Sequence, residues 1–197
     1  GGSDFAPTSG DDDLYKYDET AASLNWLNYT GGTFGDTEFE VGLGYLSAYK
    51  TTATKSFTGS INTGSTAKSI SFTSGTPGEG WNLLGNPYTS ALDWDLLTRT
   101  GSIDGSVYVI QSSTGDYITW NGSIGDLTNG IIPSMQGYFV HCTATGQTVT
   151  MESGDQVHSS TNFYKSGTTL EANTFKVSVS KEGYSNNTYI QIREDAS

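Results

Sequence analysis

The sequence predicts an all-β chain, an antiparallel β-sandwich of jelly-roll type, and three observations lead there. Apolar and polar residues alternate with a period of two in several short runs, turn signals rich in glycine separate those runs, and helical periodicity is confined to one short stretch. Gly 25, four Pro and abundant Thr and Ser are the make-up of many short strands joined by tight turns. The chain has 197 residues, of which 34% are hydrophobic and 12% aromatic, so the apolar material suffices for one substantial core and a single domain is expected.

The elements follow in order along the chain. Residues 1–13, ending in Asp11-Asp12-Asp13, read as a flexible acidic leader, and residues 14–197 as the sandwich module. Gly1-Gly2-Ser3 resembles a cloning scar rather than a signal peptide, so an excised module is expected. Phe39, Val41, Leu43 and Tyr45 form one face of a strand, as do Phe175, Val177 and Val179, and then Ile190 and Ile192. Turns are expected at Asn62-Thr63-Gly64, Thr76-Pro77-Gly78, Ser113-Thr114-Gly115, Asn121-Gly122 and Glu182-Gly183. Only "SALDWDLL", with Ser90 as a cap and Asp93 three residues on, predicts a short helix or helical turn. Trp81, alternating with Leu83, is placed in the core, and so is Cys142, which alternates with Tyr138 and Val140.

An internal echo divides the module. "LYKYDETAASLNWLNYTGG" followed by "VGLGYLSAY" matches "VYVIQSSTGDYITWNGSIG" followed by "PSMQGYFVHC" in order and spacing. The match aligns Tyr15 with Tyr108, Trp26 with Trp120, and Gly44-Tyr45 with Gly137-Tyr138. Two related halves are predicted, about 14–75 and 105–197, with 76–104 connecting them. A tryptophan repeated in both halves points to packing more than to ligand contact.

Charge and motif content exclude several functions. Twenty-one acids against nine bases give a net charge of −12, and Arg99 is the only base between Ser69 and Tyr164. Nucleic acids and anionic membranes are held through clustered Lys and Arg, so neither is an expected partner. A sulfated or uronic polysaccharide would need a bridging cation. No run is long enough for a transmembrane helix. The two histidines, His141 in an apolar strand and His158 in a polar loop, lack a nucleophile elbow, and no spacing suits zinc. The paired carboxylates that glycoside hydrolysis requires find only weak candidates in Asp93, Asp95, Glu152 and Asp155, so the module is read as non-catalytic.

Two places suit a ligand. Sugar rings stack on exposed aromatics while neighbouring amides and carboxylates hydrogen-bond their hydroxyls, and neutral glycans tolerate an acidic protein. Tyr117 and Trp120, with Asp116 and Asn121, flank one hairpin; Tyr88 and Trp94 lie on a connection beside Asn86, Asp93 and Asp95. Asp93 and Asp95 are also the candidate calcium ligands, hard oxygens near a glycine-rich loop, although no complete ion-binding loop surrounds them.

"GWNLLGNPYTSALDWD", "IIPSMQGYFVHC", "NFYKS" and "NNTYIQIREDAS" together resemble the glycine- and threonine-rich β-sandwich modules of large secreted Bacteroidetes proteins, many exported by the type IX route. The resemblance runs from about Leu14 to the end and is most specific in W-x-L-L-G-N-P-Y and P-S-M-Q-G-Y-F-V. It implies a secreted or cell-surface location and neighbouring catalytic or adhesive domains in a larger parent chain. No catalytic residues belong to the pattern, so none is carried over. The expectation is a monomeric, non-catalytic accessory module that binds a polysaccharide through exposed aromatics. The alternative is a structural spacer or adhesion module.

Overall fold

The computed structural model of the protein describes residues 13–30, 32–35, 38–48, 59–111 and 115–159, together with the strand backbones of Thr174–Lys181 and Tyr184–Gln191. All regular elements among them are antiparallel β-strands, apart from single 3-10 turns at Thr128–Gly130 and Ser153–Asp155. The fold is an all-β sandwich, as the period-two alternation requires.

The central sheet orders β5 (Trp81–Gly85), β11 (Gly137–His141), β8 (Val107–Ile110) and β9 (Tyr117–Trp120). Its inner face carries Leu84, Tyr138, Val140, Val107, Val109 and Ile118, all buried. These pack against two smaller sheets. One is β4 (Thr66–Ile70), β12 (Gln147–Met151) and β7 (Thr98–Arg99); the other is β10 (Ile131–Ile132), β6 (Ala91–Asp93) and β13 (Gln156–Val157). Ile70, Val149, Met151, Leu92 and Ile132 from those sheets complete one continuous core. Segment 76–104 is thus more than a connection, because it supplies β5, β6 and β7 to three different sheets.

A third layer lies on the outer face of the central sheet. It orders β2 (Trp26–Asn28), β1 (Asp13–Tyr17) and β3 (Tyr45–Ala48). β1 begins at Asp13, the last residue of the expected leader. The layer joins the central sheet through residues 42–44: Gly44 N–H donates to Leu83 O, and Gly85 N–H donates to Gly42 O. Here backbone lies on backbone. A Cβ on Gly44 would stand 2.4 Å from Leu84 O, so only glycine permits this approach. Gly42, at φ +80°, also breaks the continuous strand expected from Phe39 to Tyr45, and Val41 is left exposed. A satellite core of Leu14 and Phe34, flanked by Phe39 and Tyr45, fills the far side of this layer.

The register confirms part of the internal echo and corrects the rest. Both halves order a hairpin and a third strand alike, β2-β1-β3 against β9-β8-β11. Tyr15 faces Leu46 and Asn28, while Tyr108 faces Phe139 and Thr119, so Tyr45 matches Tyr138 as the sequence predicts. Trp26 pairs with Tyr17, and Tyr117 with Ile110, so the counterpart of Trp26 is Tyr117 and not Trp120. The two tryptophans sit at opposite ends of their hairpins.

Two further expectations change. "SALDWDLL" forms no helix: Leu92 is held between Ile132 and Gln156 as the middle strand of its sheet and is fully buried. A turn follows, with Leu96 N–H donating to Asp93 O and Leu97 N–H to Trp94 O. Pairing on both sides outweighs local helix signals because it satisfies the same backbone groups while burying the side chains. Trp94 and Tyr88, in turn, are core residues, at 0% and 1% exposure. Trp94 donates its indole N–H to Gly105 O at 2.8 Å and lies under the Arg99 guanidinium, 4.1 Å from the ring centroid. The Tyr88 hydroxyl sits 2.7 Å from the carbonyls of both Gly64 and Met151. Asn86 locks the preceding corner, donating to Ser90 O and Pro133 O and accepting from Tyr88 N–H.

The layers are also clamped by a buried carboxylate. Glu19, in the β1–β2 connection, accepts from Thr73 N–H at 2.6 Å, Gly80 N–H at 2.9 Å and the Thr73 hydroxyl at 3.0 Å. Burial opposes its ionisation, yet the Gly80 and Thr73 donors prevail and hold its carboxyl below the ordinary glutamate value. A depressed folded-state pKa stabilises above the unfolded value and ceases to as pH falls through the folded one. Glu19→Gln is therefore expected to cost about 1–3 kcal/mol at neutral pH and to flatten the loss of stability below about pH 4.3, measured by urea unfolding across pH. Trp94→Ala is expected to cost about 3–5 kcal/mol in the same assay, because it empties the centre of the core.

Cys142 is fully buried, its thiol directed at Ser71 O at 3.3 Å, and burial pushes its pKa up. Native protein is expected to resist a thiol reagent until denaturant is added, and rapid labelling of the folded chain would contradict this burial.

Candidate functional site

Aromatic side chains gather where the third layer meets the outer face of the central sheet. Strand alternation sends Trp81 from β5, Phe139 and His141 from β11, Tyr108 from β8 and Tyr117 from β9 to this face. Phe139 is the centre, at 4% exposure. Tyr17 packs on it at 5.1 Å between centroids, Tyr117 at 6.0 Å, Trp26 at 6.1 Å and Trp81 at 6.4 Å. All four meet it edge to face, with interplanar angles from 71° to 88°, the arrangement favoured by ring quadrupoles. Trp81 continues the wall to Tyr108 and to His141, each at 4.9 Å, and His141 Nδ1 lies 2.8 Å from Asp104 Oδ2. Trp81 therefore faces away from the core in which the sequence placed it, half-buried in this second cluster.

The wall opens to solvent at Tyr117, which is 53% exposed. Tyr17, Trp26, Trp81, Tyr108 and His141 are half-buried around it. Burial, then the neighbouring Tyr117 phenol and the Glu19 carboxylate, push the Tyr17 phenol above its ordinary value. Partial burial does the same for Tyr117. Neither phenol ionises near neutral pH, so both offer a ring and a neutral hydroxyl.

The residues singled out in the sequence are dispersed. Tyr117 and Trp120 share β9 but lie on opposite faces, three residues apart, or about 10 Å along the strand. Trp120 turns inward at the rim of the main core, where its ring covers Gly130 and its indole N–H donates to the Asp95 carboxylate at 3.0–3.1 Å. Asp116 is exposed beside Tyr117. Asn121 is exposed on the next loop, its Oδ1 accepting from Ser123 and Ile124 N–H. Tyr88 and Trp94 are corrected from surface platform to core, because their polar atoms bond to backbone carbonyls and their rings fill the space between sheets.

Asp93 and Asp95 each accept a hydrogen bond from within the chain. Asp93 Oδ1 accepts from Asp95 N–H at 3.0 Å, while Asp95 is engaged by Trp120. Among the described residues, no three His, Cys, Asp or Glu side chains come together in an arrangement that could hold a metal ion. Of the aspartate triplet, Asp11 and Asp12 lie outside the described residues. Asp13 is partly desolvated, which raises its pKa. Bonds from the Thr30 hydroxyl, the Leu14 and Thr30 N–H groups and the Asn28 amide outweigh this and hold it below the ordinary value. Nor is any helix among the described residues long and apolar enough to cross a membrane.

Sequence reasoning missed Trp81, Tyr108, Phe139 and Tyr17 as a group. A signal was present: in "YFV", Phe139 interrupts two inward residues with another large apolar one, and a strand apolar on both faces is covered on both. Comparison with known proteins gives one match, to the family described as Domain of unknown function (DUF8693), over residues 2–115. No curated protein and no solved structure matches the chain.

Proposed function

The chain belongs to that family, whose description carries no activity, and from its own surface we propose that it is a non-catalytic carbohydrate-binding module. Its ligand would be a polysaccharide, bound at the aromatic wall, and its role would be to hold a secreted parent protein on that substrate. The observation that carries this reading is Tyr117, a large ring 53% exposed at the mouth of a wall otherwise made of Tyr17, Trp26, Phe139 and Trp81. An exposed ring continuous with further half-buried aromatics offers an apolar face on which a sugar ring could stack. Asp116 and the phenols would supply hydrogen bonds to sugar hydroxyls. The negative chain, with Lys16 the only Lys or Arg on the wall strands and that one held over the Phe34 ring, suits an uncharged glycan better than a uronic or sulfated one.

A structural spacer is the second reading. What favours it is the geometry of the rings, which meet edge to face rather than as a coplanar pair. The two readings separate on a single substitution. If the wall binds glycan, Tyr117→Ala weakens retention on the ligand found by a glycan array about tenfold or more and shifts unfolding by no more than about 1.5 kcal/mol, the size of its edge contact with Phe139. No ion takes part in this scheme, so affinity is expected to be the same in chelator and in millimolar calcium. An array without a ligand would leave the spacer reading, and a Tyr117→Ala protein that binds normally would remove the aromatic wall as the site.

A further inference from the structure

The wall has an internal symmetry that its chemistry alone does not reveal. Strand register makes Trp26 and Tyr117 equivalent residues of the two halves, each the first residue of the second strand in its hairpin. Each is paired across that hairpin with the last residue of the first strand, Tyr17 or Ile110. Although they come from different sheets, both rings converge on one residue, with centroids 6.1 Å and 6.0 Å from that of Phe139. Tyr17, 5.2 Å from Trp26 and 5.1 Å from Phe139, fills the space between the sheets on the same side.

Resting on the carbohydrate reading above, we infer that the wall is a two-subsite platform for a linear oligosaccharide, in which Trp26 and Tyr117 each contact a different sugar unit of the same chain. Two equivalent rings, 6.1 Å and 6.0 Å from a common centre, suit a ligand that repeats along its length. Trp26 is half-buried, and Tyr117 is the most exposed ring of the wall. A monosaccharide reaches one subsite, whereas a longer chain reaches both, and the second contact forms at a high effective concentration once the first is made. The platform thus recognises chain length before it recognises sugar identity.

The test is calorimetric titration of the whole chain with laminarin, xyloglucan, galactomannan and soluble starch, followed by the mono- to hexasaccharides of whichever binds. Affinity is expected to be unmeasurable for the monosaccharide, to rise steeply until both subsites are spanned, and then to level off. Tyr117→Ala and Trp26→Ala should each weaken the longer oligosaccharides about tenfold or more, equivalent to about 1.4 kcal/mol. Trp26→Phe, which keeps a ring against Phe139, guards against collapse of the wall and should weaken binding with an unchanged melt. Binding that is lost in Tyr117→Ala but untouched in both Trp26 variants, or a monosaccharide that binds as tightly as the hexasaccharide, overturns the two-subsite platform and leaves the carbohydrate reading standing. Failure of all four polysaccharides to bind overturns both.

Discussion

Strand β11 is buried on both faces, and the rest of the architecture is arranged around that constraint. Tyr138 and Val140 point into the main core and are fully buried, while Phe139 between them is 4% exposed on the opposite side. A sandwich of two layers would leave Phe139 in water. A third layer is needed, and β1 to β3 provide it, laying Tyr17 and Trp26 on the Phe139 ring. The tight crossing at Gly42–Gly44 follows from the same need, since this segment must bond to the edge of the central sheet before its chain turns to cross it.

Polar contacts make that arrangement specific. Hydrophobic cover tolerates sliding, whereas a desolvated carboxylate with three well-placed donors does not. Glu19 joins the β1–β2 connection to the loop that precedes Trp81, so the outer layer is pinned beside the aromatic wall that it helps to build. Gly78 belongs to this joint as well: a Cβ there would fall within 2.4 Å of the Asn25 amide. The wall is accordingly a product of two sheets and one latch. Its rings are held by edge contacts, which would leave little conformational entropy to lose in binding the proposed ligand.

The division between the two aromatic clusters also orders the chemistry. Trp94, Tyr88 and Tyr138 have their polar atoms satisfied inside the main core, by Gly105 O, by Gly64 O and Met151 O, and by the Met151 sulfur. They stabilise and cannot reach a ligand. In the outer cluster Tyr117 meets solvent. Arg99, which could have attracted an anionic partner, is occupied on the Trp94 ring and is thus removed from the surface balance. Among the described residues, Lys16 is the only Lys or Arg on the strands that build the wall, and it lies over the Phe34 ring.

Much of the fold was legible in the sequence, since it depends on properties that neighbouring residues carry. Period-two alternation identified β14 and the inward position of Cys142, because a strand exposes its two faces in turn whatever covers them, and the internal echo identified the β8–β9 hairpin. Turn chemistry marked Thr76-Pro77-Gly78 and Asn121-Gly122 for the same local reason. The order of the two halves and the match of Tyr45 to Tyr138 were legible too. What alternation cannot specify is the covering partner. Only the tertiary structure decided that "SALDWDLL" enters a sheet, since the strands on either side of Leu92 lie about 40 and 64 residues further along the chain. Only the tertiary structure decided that Trp94 is core while Tyr117 is surface, and that Trp26 corresponds to Tyr117. Each of these outcomes is set by long-range register and by which sheet lands on which face, and neither is written in the residues beside them.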